Sequence, residues 1–319
     1  MRTLGQTAVT VTRLGLGTAA LGGWPRGVSA EQGRATVRRA YDAGLRYFDT
    51  APFYGYGKSE TFIAAALGEL GRSSFSLSTK VGRVLEPGPA PEPLYEDGLP
   101  FTPVFDFSPV GIRRSLAGSR NRLGFERIDA VLIHDPDDHL DDAITHAYPA
   151  LAELREAGEI GAIGVGTNFT EPLLALLQRA DFDCAMLAGR YTLLEQGPLD
   201  ELFPFALERG VSIIAGGVYN SGLLVDPRPG ATYNYAPAPG ELVARATRLA
   251  TVCREHDVVM RAAAMQFTAA HPAVTAIVMG ACTPDEVDDN LAMAQVAIPG
   301  ELWTALKERE LLHPEAPTP

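Results

Sequence analysis

Short apolar runs alternate with longer amphipathic stretches along almost the whole chain. The runs read as buried strands over 14–18, 45–49, 75–81, 128–134, 162–166, 184–188, 211–215 and 274–279, each ending near Gly, Pro, Asp or Asn. Between them, apolar residues recur at helical spacing over 34–43, 59–70, 109–123, 143–157, 171–179, 198–209, 240–270 and 284–293. Ser29 is placed to cap the first helix, and Gly44, Gly158 and Gly210 stand where helix C-termini favour a left-handed residue. A small hairpin over 2–12, turning at Gly5-Gln6, precedes the first strand.

Strands alternating with helices predict parallel pairing through right-handed crossovers. Eight such units within 319 residues match an α/β fold of the (β/α)₈ TIM barrel type, one domain spanning residues 1–319. A doubly wound open sheet is the structural alternative. It lacks its dinucleotide signature, because no Gly-x-Gly-x-x-Gly follows the first strand. Two Pro-rich segments, 84–108 and 225–239, break the beat. Each follows a strand, so each is expected as a long loop covering the C-terminal face of the barrel.

Composition removes several function classes. The net charge is −12 with no Lys/Arg run, so the footprint of a nucleic-acid partner is missing. Cys184, Cys253 and Cys282 are scattered without metal-ligand spacing; no metal is expected, and the sparse, odd count suits a reducing compartment. The first six residues carry no apolar signal region, and no run approaches membrane-spanning length. A soluble, cytoplasmic protein without a membrane partner is expected. The oligomeric state is left open.

Chemically active side chains fall at the ends of three consecutive strands. The second ends at Asp49 with Tyr54 just beyond, the third at Ser78-Thr79-Lys80, and the fourth at Ile133-His134-Asp135. Each has an ordinary explanation alone: Asp49 as a turn cap, Tyr54 as a surface aromatic, Lys80 as a loop charge, His134 as a satisfied core histidine. All four on one rim point to proton chemistry in a shared pocket.

Phe48-Asp49-Thr50-Ala51-Pro52-Phe53-Tyr54-Gly55, Ser78-Thr79-Lys80, Ile133-His134, Gly164-Val165-Gly166-Thr167-Asn168 and Gly280-Ala281-Cys282-Thr283-Pro284 with Asn290 make the chain resemble the aldo-keto reductase superfamily over essentially its whole length. The resemblance implies a barrel whose base is closed by the N-terminal β-hairpin, with a nicotinamide cofactor extended across its top. It implies a catalytic tetrad of Asp49, Tyr54, Lys80 and His134. Free tyrosine has a pKa near about 10, so Lys80 would lower the phenol of Tyr54 while Asp49 holds Lys80. His134 would orient the substrate oxygen. The implied cofactor contacts begin with Thr18, Asp49, Thr167 and Asn168. Gly217, Val218, Asn220, Ser221 and Gly222 follow the seventh strand, where Gly216-Gly217 and Asn220-Ser221-Gly222 suit a pyrophosphate. Gly280, Ala281, Glu286 and Asn290 follow the eighth.

Two positions depart from the family pattern. Gly216 stands where many members stack an aromatic on the nicotinamide, and Ala188 stands in place of a common Gln; Tyr191 or Tyr219 are the candidates to compensate. At the adenosine end there is no Lys or Arg between Arg261 and Lys307, and Asp285, Glu286, Asp288 and Asp289 surround the expected 2′ position. Carboxylates suit a ribose diol and repel a 2′-phosphate, so NAD is expected over NADP. Thr283-Pro284-Asp285-Glu286 also reads as a capping box, which offers Glu286 a purely structural role.

The run Leu187-Ala188-Gly189-Arg190-Tyr191-Thr192-Leu193-Leu194-Glu195-Gln196, with Gly216 to Gly222 and Val104-Phe105-Asp106-Phe107-Ser108, is similar to the aldose 1-dehydrogenase branch. That branch acts on L-fucose and D-threo-aldoses. The similarity implies oxidation of a pyranose at C1 to its lactone, with Trp24, Phe53 and Tyr219 as substrate walls beside Tyr54 and His134. Three alternatives stand beside it: a pyridoxal 4-dehydrogenase-like enzyme, a general aldehyde or ketone reductase, and a non-catalytic cofactor-sensing subunit. The complete tetrad disfavours the last.

Overall fold

The computed structural model describes residues 1–89 and 94–319, so residues 90–93 of the first Pro-rich segment lie outside the described residues. Eight parallel strands form a closed barrel. They are β1 (Leu14–Gly17), β2 (Tyr47–Asp49), β3 (Ser76–Val81), β4 (Ile128–His134), β5 (Ile160–Thr167), β6 (Cys184–Ala188), β7 (Ser212–Gly216) and β8 (Val274–Gly280). Each strand pairs with its sequence neighbours, and β8 closes on β1 with Gly280 opposite Gly17.

Alternation along the strands sorts side chains between two layers. Tyr47, Leu132, Cys184, Met186, Ile214 and Val278 face the barrel interior. Leu4, Val9 and Val11 from the N-terminal hairpin join that interior cluster. Gly5 N–H donates to Ser212 Oγ at 2.9 Å, at the start of β7, which puts the hairpin under the base. The outward residues, among them Phe48, Val131, Ile133, Ile213 and Ile277, pack beneath the helices.

The helices are α1 (Ala30–Asp42), α2 (Lys58–Leu67), α3 (Pro109–Leu123), α4 (Tyr148–Glu156), α5 (Thr170–Leu177), α6 (Leu202–Arg209), α7 (Gly240–Glu255), α8 (Met260–Ala270), α9 (Pro284–Met293) and α10 (Gly300–Glu308). Ser29, Ser108 and Thr283 cap α1, α3 and α9 by accepting a backbone N–H three residues on. Pro149 has no N–H to offer the turn before it, and that turn widens to a π-helix over Ala143–Ala147.

Four expectations need correcting. The single helix expected over 240–270 is two. The backbone turns left-handed at Asp257, and Asp257 N–H and Val258 N–H bond back to Arg254 O and Cys253 O, a Schellman end built without glycine. A final helix, α10, was not expected; it buries Leu302, Trp303 and Leu306. The segment 84–108 is not a plain loop: Arg83–Pro87 pairs antiparallel with Phe101–Phe105. In the segment 225–239, Thr232–Tyr233 pairs with Ala236–Pro237 across a two-residue turn. Asn234 and Tyr235 in that turn have φ of 49° and 65°, the twist that suits a tight hairpin. No helix among the described residues is long and apolar enough to cross a membrane.

The described parts of both irregular segments lie over the C-terminal ends of the strands, with Tyr95 and Tyr235 beside Tyr54 and His134. A close backbone contact sets their floor. A Cβ on Gly55 would meet Gly22 O at 2.6 Å, so only glycine lets the turn after β2 lie against the turn after β1. Glu96 N–H then donates to Gly23 O at 3.0 Å, and Leu99 N–H to Gly55 O at 3.0 Å, tying the first Pro-rich segment onto that floor.

Candidate active site

Strand parity puts Tyr47 and Asp49 of β2 on the same face as Ser78 and Lys80 of β3. The result is a buried chain of hydrogen bonds. Tyr47 Oη and Ser78 Oγ are 3.0 Å apart, and Ser78 Oγ donates to Asp49 Oδ1 at 2.7 Å. Lys80 Nζ donates to Asp49 Oδ2 at 2.8 Å and to Thr50 O at 3.0 Å. Both oxygens of Asp49 are therefore engaged, and the Asp49–Lys80 pair is almost fully shielded from solvent. An ion pair this deep depends on such bonds to offset its desolvation.

Above this pair lies Tyr54, its ring centre 4.8 Å from Lys80 Nζ. The Tyr54 and His134 rings meet edge to face at 5.9 Å. His134 ends β4 and Asp135 follows in the left-handed region at φ 44°, with Asp135 Oδ2 standing 3.5 Å from His134 Nε2. His134 Nδ1 is buried and has no hydrogen-bond partner among the described residues.

The protonation states follow from burial. Burial pushes the Tyr54 phenol well above its ordinary value, and the charge of Asp49 pushes the same way. Lys80, expected to lower this pKa, is bound to Asp49 and so offsets that carboxylate's charge, and burial outweighs its pull on the phenol. Burial also holds His134 well below its ordinary value, aided by the charges of Arg83 and Lys80. At neutral pH the site therefore holds a protonated phenol beside a neutral imidazole.

Asp49, Tyr54 and His134 open onto one cavity of about 470 Å³, within the usual range for a small-molecule site. Trp24, Phe53 and Tyr219 line it. So do Asn168, Gly217, Val218, Asn220, Ser221 and Gly222, and at its other end Gly280, Ala281 and Glu286. Lys80 does not line it and acts from beneath the tyrosine ring. Thr18, Thr167 and Asn290 also sit behind the wall. Thr18 Oγ1 donates to Asp49 O at 2.9 Å, Thr167 Oγ1 bonds Asp137, and Asn290 Nδ2 donates to Gly280 O at 3.1 Å. Tyr191 is buried between Phe203 and Phe267, away from the cavity, so of the two proposed compensating aromatics only Tyr219 faces it.

The cavity fits an extended dinucleotide. Ala188, Gly189 and Gly216 leave a flat floor free of large side chains. Asn220, Ser221 and Gly222 are three consecutive left-handed residues, φ 47°, 56° and 95°, in a tight turn where Asn220 N–H donates to Gly217 O at 2.9 Å and Gly222 N–H to Tyr219 O at 3.0 Å. A Cβ on Gly222 would enter open space, whereas one on Gly217 would meet Gly189 N at 3.0 Å.

The acidic end differs from its expectation. Thr283 caps α9, but Glu286 Oε2 reaches back to Cys282 N–H at 2.7 Å, one residue before the cap. Its other oxygen binds Arg26, from the turn after β1, and both residues line the cavity. Asp288 pairs with Arg39 at 2.6 Å, and Asp289 pairs with Arg261. The region lacks cations in sequence but not in space.

Several contributors escaped the sequence reading. Ser78 was legible, since it lies two residues before Lys80 on one strand. Tyr95, in a Pro-rich stretch, packs on Phe53 at 5.6 Å and lines the cavity. Tyr235 comes from the second hairpin and meets Trp24 edge-on at 4.7 Å, roofing the site. Nothing local marked it.

The aldo/keto reductase family profile matches residues 13–310. The chain is 41% identical to a pyridoxal 4-dehydrogenase of Microbacterium luteolum, covering 98% of this chain and 97% of that one. It is 40% identical to a D-threo-aldose 1-dehydrogenase of Pseudomonas sp, covering 98% and 96%. Among solved structures, an aldo-keto reductase from Bacillus halodurans in its holo form superposes with a TM-score of 0.78 at 26% identity, covering 98% and 96%.

Proposed function

The chain belongs to the aldo/keto reductase family, and from that premise we propose that it is an NAD-dependent dehydrogenase oxidising an aldose at C1 to its lactone. The observation that carries this reading is the convergence of Tyr54 and His134 on one cavity above the buried Asp49–Lys80 pair. Asp49, Tyr54, Lys80 and His134 take the catalytic and positioning roles.

A pyranose reacts as its cyclic hemiacetal. The C1–H bond breaks with its electron pair, the O1–H bond breaks as a proton, and C1=O1 forms. The bound nicotinamide supplies the acceptor for the hydrogen that leaves with its electrons. The rest is work for this chain. Tyr54 takes the proton from O1, which requires the phenol to have ionised first. Neutral His134 donates a hydrogen bond to O1 and sets its direction. Lys80 and Asp49 hold a fixed charge pair beneath the phenol. Trp24, Phe53, Tyr95 and Tyr235 supply aromatic faces for the C–H surfaces of a sugar and keep water from the reacting atoms.

NAD is supported by Glu286. A ribose diol can donate to this carboxylate, whereas a 2′-phosphate would compete with it for Arg26 and remain beside a like charge. The substrate is a small molecule, a sugar or an aldehyde, and nothing in the charge pattern calls for nucleic acid.

A second reading is favoured by one observation: the phenol is held protonated, the state that serves carbonyl reduction. Pyridoxal also closes to a cyclic hemiacetal, through its neighbouring hydroxymethyl group, so the same site chemistry extends to it. Steady-state assays of L-fucose, other aldoses and pyridoxal with NAD and with NADP test these readings together. Sugar oxidation with NAD is expected to lead; activity confined to NADPH-driven reduction would overturn the proposal.

A further inference from the structure

Asp135 has no role in the chemistry above, yet it lines the substrate end of the cavity beside His134. Its backbone holds a left-handed conformation, φ 44°, that costs a non-glycine residue on the order of 1 kcal/mol. Even so its N–H still donates to Gly166 O at 2.8 Å, so the chain turns sharply while the strand ladder continues. The carboxylate is braced. Arg83 donates to Oδ2 at 2.8 Å, and the guanidinium is itself sandwiched, 4.2 Å from the Phe53 ring centre and 4.3 Å from that of Phe105. Arg83 Nε is buried with no partner among the described residues. The same Oδ2 stands 3.5 Å from His134 Nε2, and Oδ1 accepts no hydrogen bond among the described residues. A fixed acceptor therefore stands next to the imidazole assigned to hold the reacting oxygen. Two oxygens on neighbouring carbons lie about 2.8 Å apart, close to hydrogen-bond spacing. One can meet His134 while the other donates to Asp135.

We propose that Asp135, braced by Arg83, selects substrates carrying a hydroxyl on the carbon next to the reacting carbonyl carbon. The assignment rests on the roles given above to Tyr54 and His134. A substrate without that hydroxyl covers Asp135 Oδ1 without giving it a donor, and sites of this kind reject such analogues.

The test compares NADH-driven reduction of D-glyceraldehyde, which has the neighbouring hydroxyl, with that of propanal, which lacks it. The protein is expected to prefer glyceraldehyde by about 100-fold in kcat/KM, less than the roughly 10⁴-fold of fully buried hydroxyl-reading sites because Arg83 already answers one oxygen of Asp135. In Asp135→Asn the preference is expected to fall to a few-fold through loss on glyceraldehyde alone, with the propanal rate reporting an intact site. Arg83→Lys is expected to raise KM for glyceraldehyde while leaving kcat nearly unchanged. No preference in the parent protein, no reduction of either aldehyde, or an equal loss on both substrates in Asp135→Asn together with a loss of kcat in Arg83→Lys would each overturn the proposal. Because the readout is aldehyde reduction, a protein that oxidises no sugar still reports on Asp135. Sugar oxidation with an unchanged glyceraldehyde preference in Asp135→Asn would sink this inference alone.

Discussion

Lys80 Nζ lies 4.8 Å from the centre of the Tyr54 ring while donating a 2.8 Å hydrogen bond to Asp49 Oδ2. The ammonium is close enough to act on the phenol, but its charge is largely answered by the carboxylate. Burial then decides the protonation of Tyr54, and it decides for the neutral form.

The pH dependence follows from that sign. Reduction needs the protonated phenol, so its kcat/KM is expected to be flat from about pH 6 to 9. Oxidation needs the phenolate, so its kcat/KM is expected to rise about tenfold per unit through that range. His134 is held below its ordinary value and adds no acid limb there. In Lys80→Met the Asp49 charge is left uncompensated beside the phenol and moves its ionisation further up. The oxidation limb is expected to shift to higher pH; an unshifted limb would show that Lys80 does not tune Tyr54.

Stability carries the mark of the same pair. Asp49→Ala strands a buried ammonium and Lys80→Met strands a buried carboxylate, each expected to cost about 3–5 kcal/mol. The double variant strands neither, and its loss in urea unfolding is expected to fall short of the sum by about 2 kcal/mol. Strict additivity would mean that the two charges do not depend on each other.

Cofactor choice is expected to turn on Arg26 and Glu286. Glu286→Gln can keep the hydrogen bond to Cys282 N–H while releasing Arg26 toward a 2′-phosphate. The NADP dissociation constant, read by fluorescence titration, is expected to fall about tenfold, the worth of roughly 1.4 kcal/mol. Adding Arg26→Ala should cancel the gain. If Glu286→Gln leaves NADP affinity where it was, this pair does not read the 2′ position.

Tyr235 separates function from folding. At φ 65° its backbone strain of about 1–2 kcal/mol is similar in size to an edge-on contact with Trp24 worth about 0.5–1.5 kcal/mol. Tyr235→Gly removes both, so the thermal midpoint is expected to stay within a few degrees. The roof over the substrate goes with it, and KM is expected to rise about tenfold while the dinucleotide Kd is unchanged. An unchanged KM would place Tyr235 outside the substrate path.

Helices 109–123 and 284–293 and strands 128–134 and 184–188 coincide with their sequence-based bounds, because caps, glycines and apolar spacing are local signals. The end of α7 was missed because Asp257 does the work of a C-terminal glycine. The pair Arg83–Pro87 with Phe101–Phe105 was missed because prolines hide the alternation that marks a strand. Ser78 and Asp135 lay in plain view beside Lys80 and His134. Their partners Tyr47 and Arg83 come from other strands, and only pairing register brings them into reach.

By itself the sequence determined the order of strands and helices and the positions of the four groups at or just past the strand ends. Those depend on period and on neighbouring residues, so they can be read along the chain. The tertiary structure decided which charges answer one another and what burial does to the phenol. Arg26 and Glu286 stand 260 residues apart. They meet because β8 closes on β1, and no local pattern encodes the closure of a barrel.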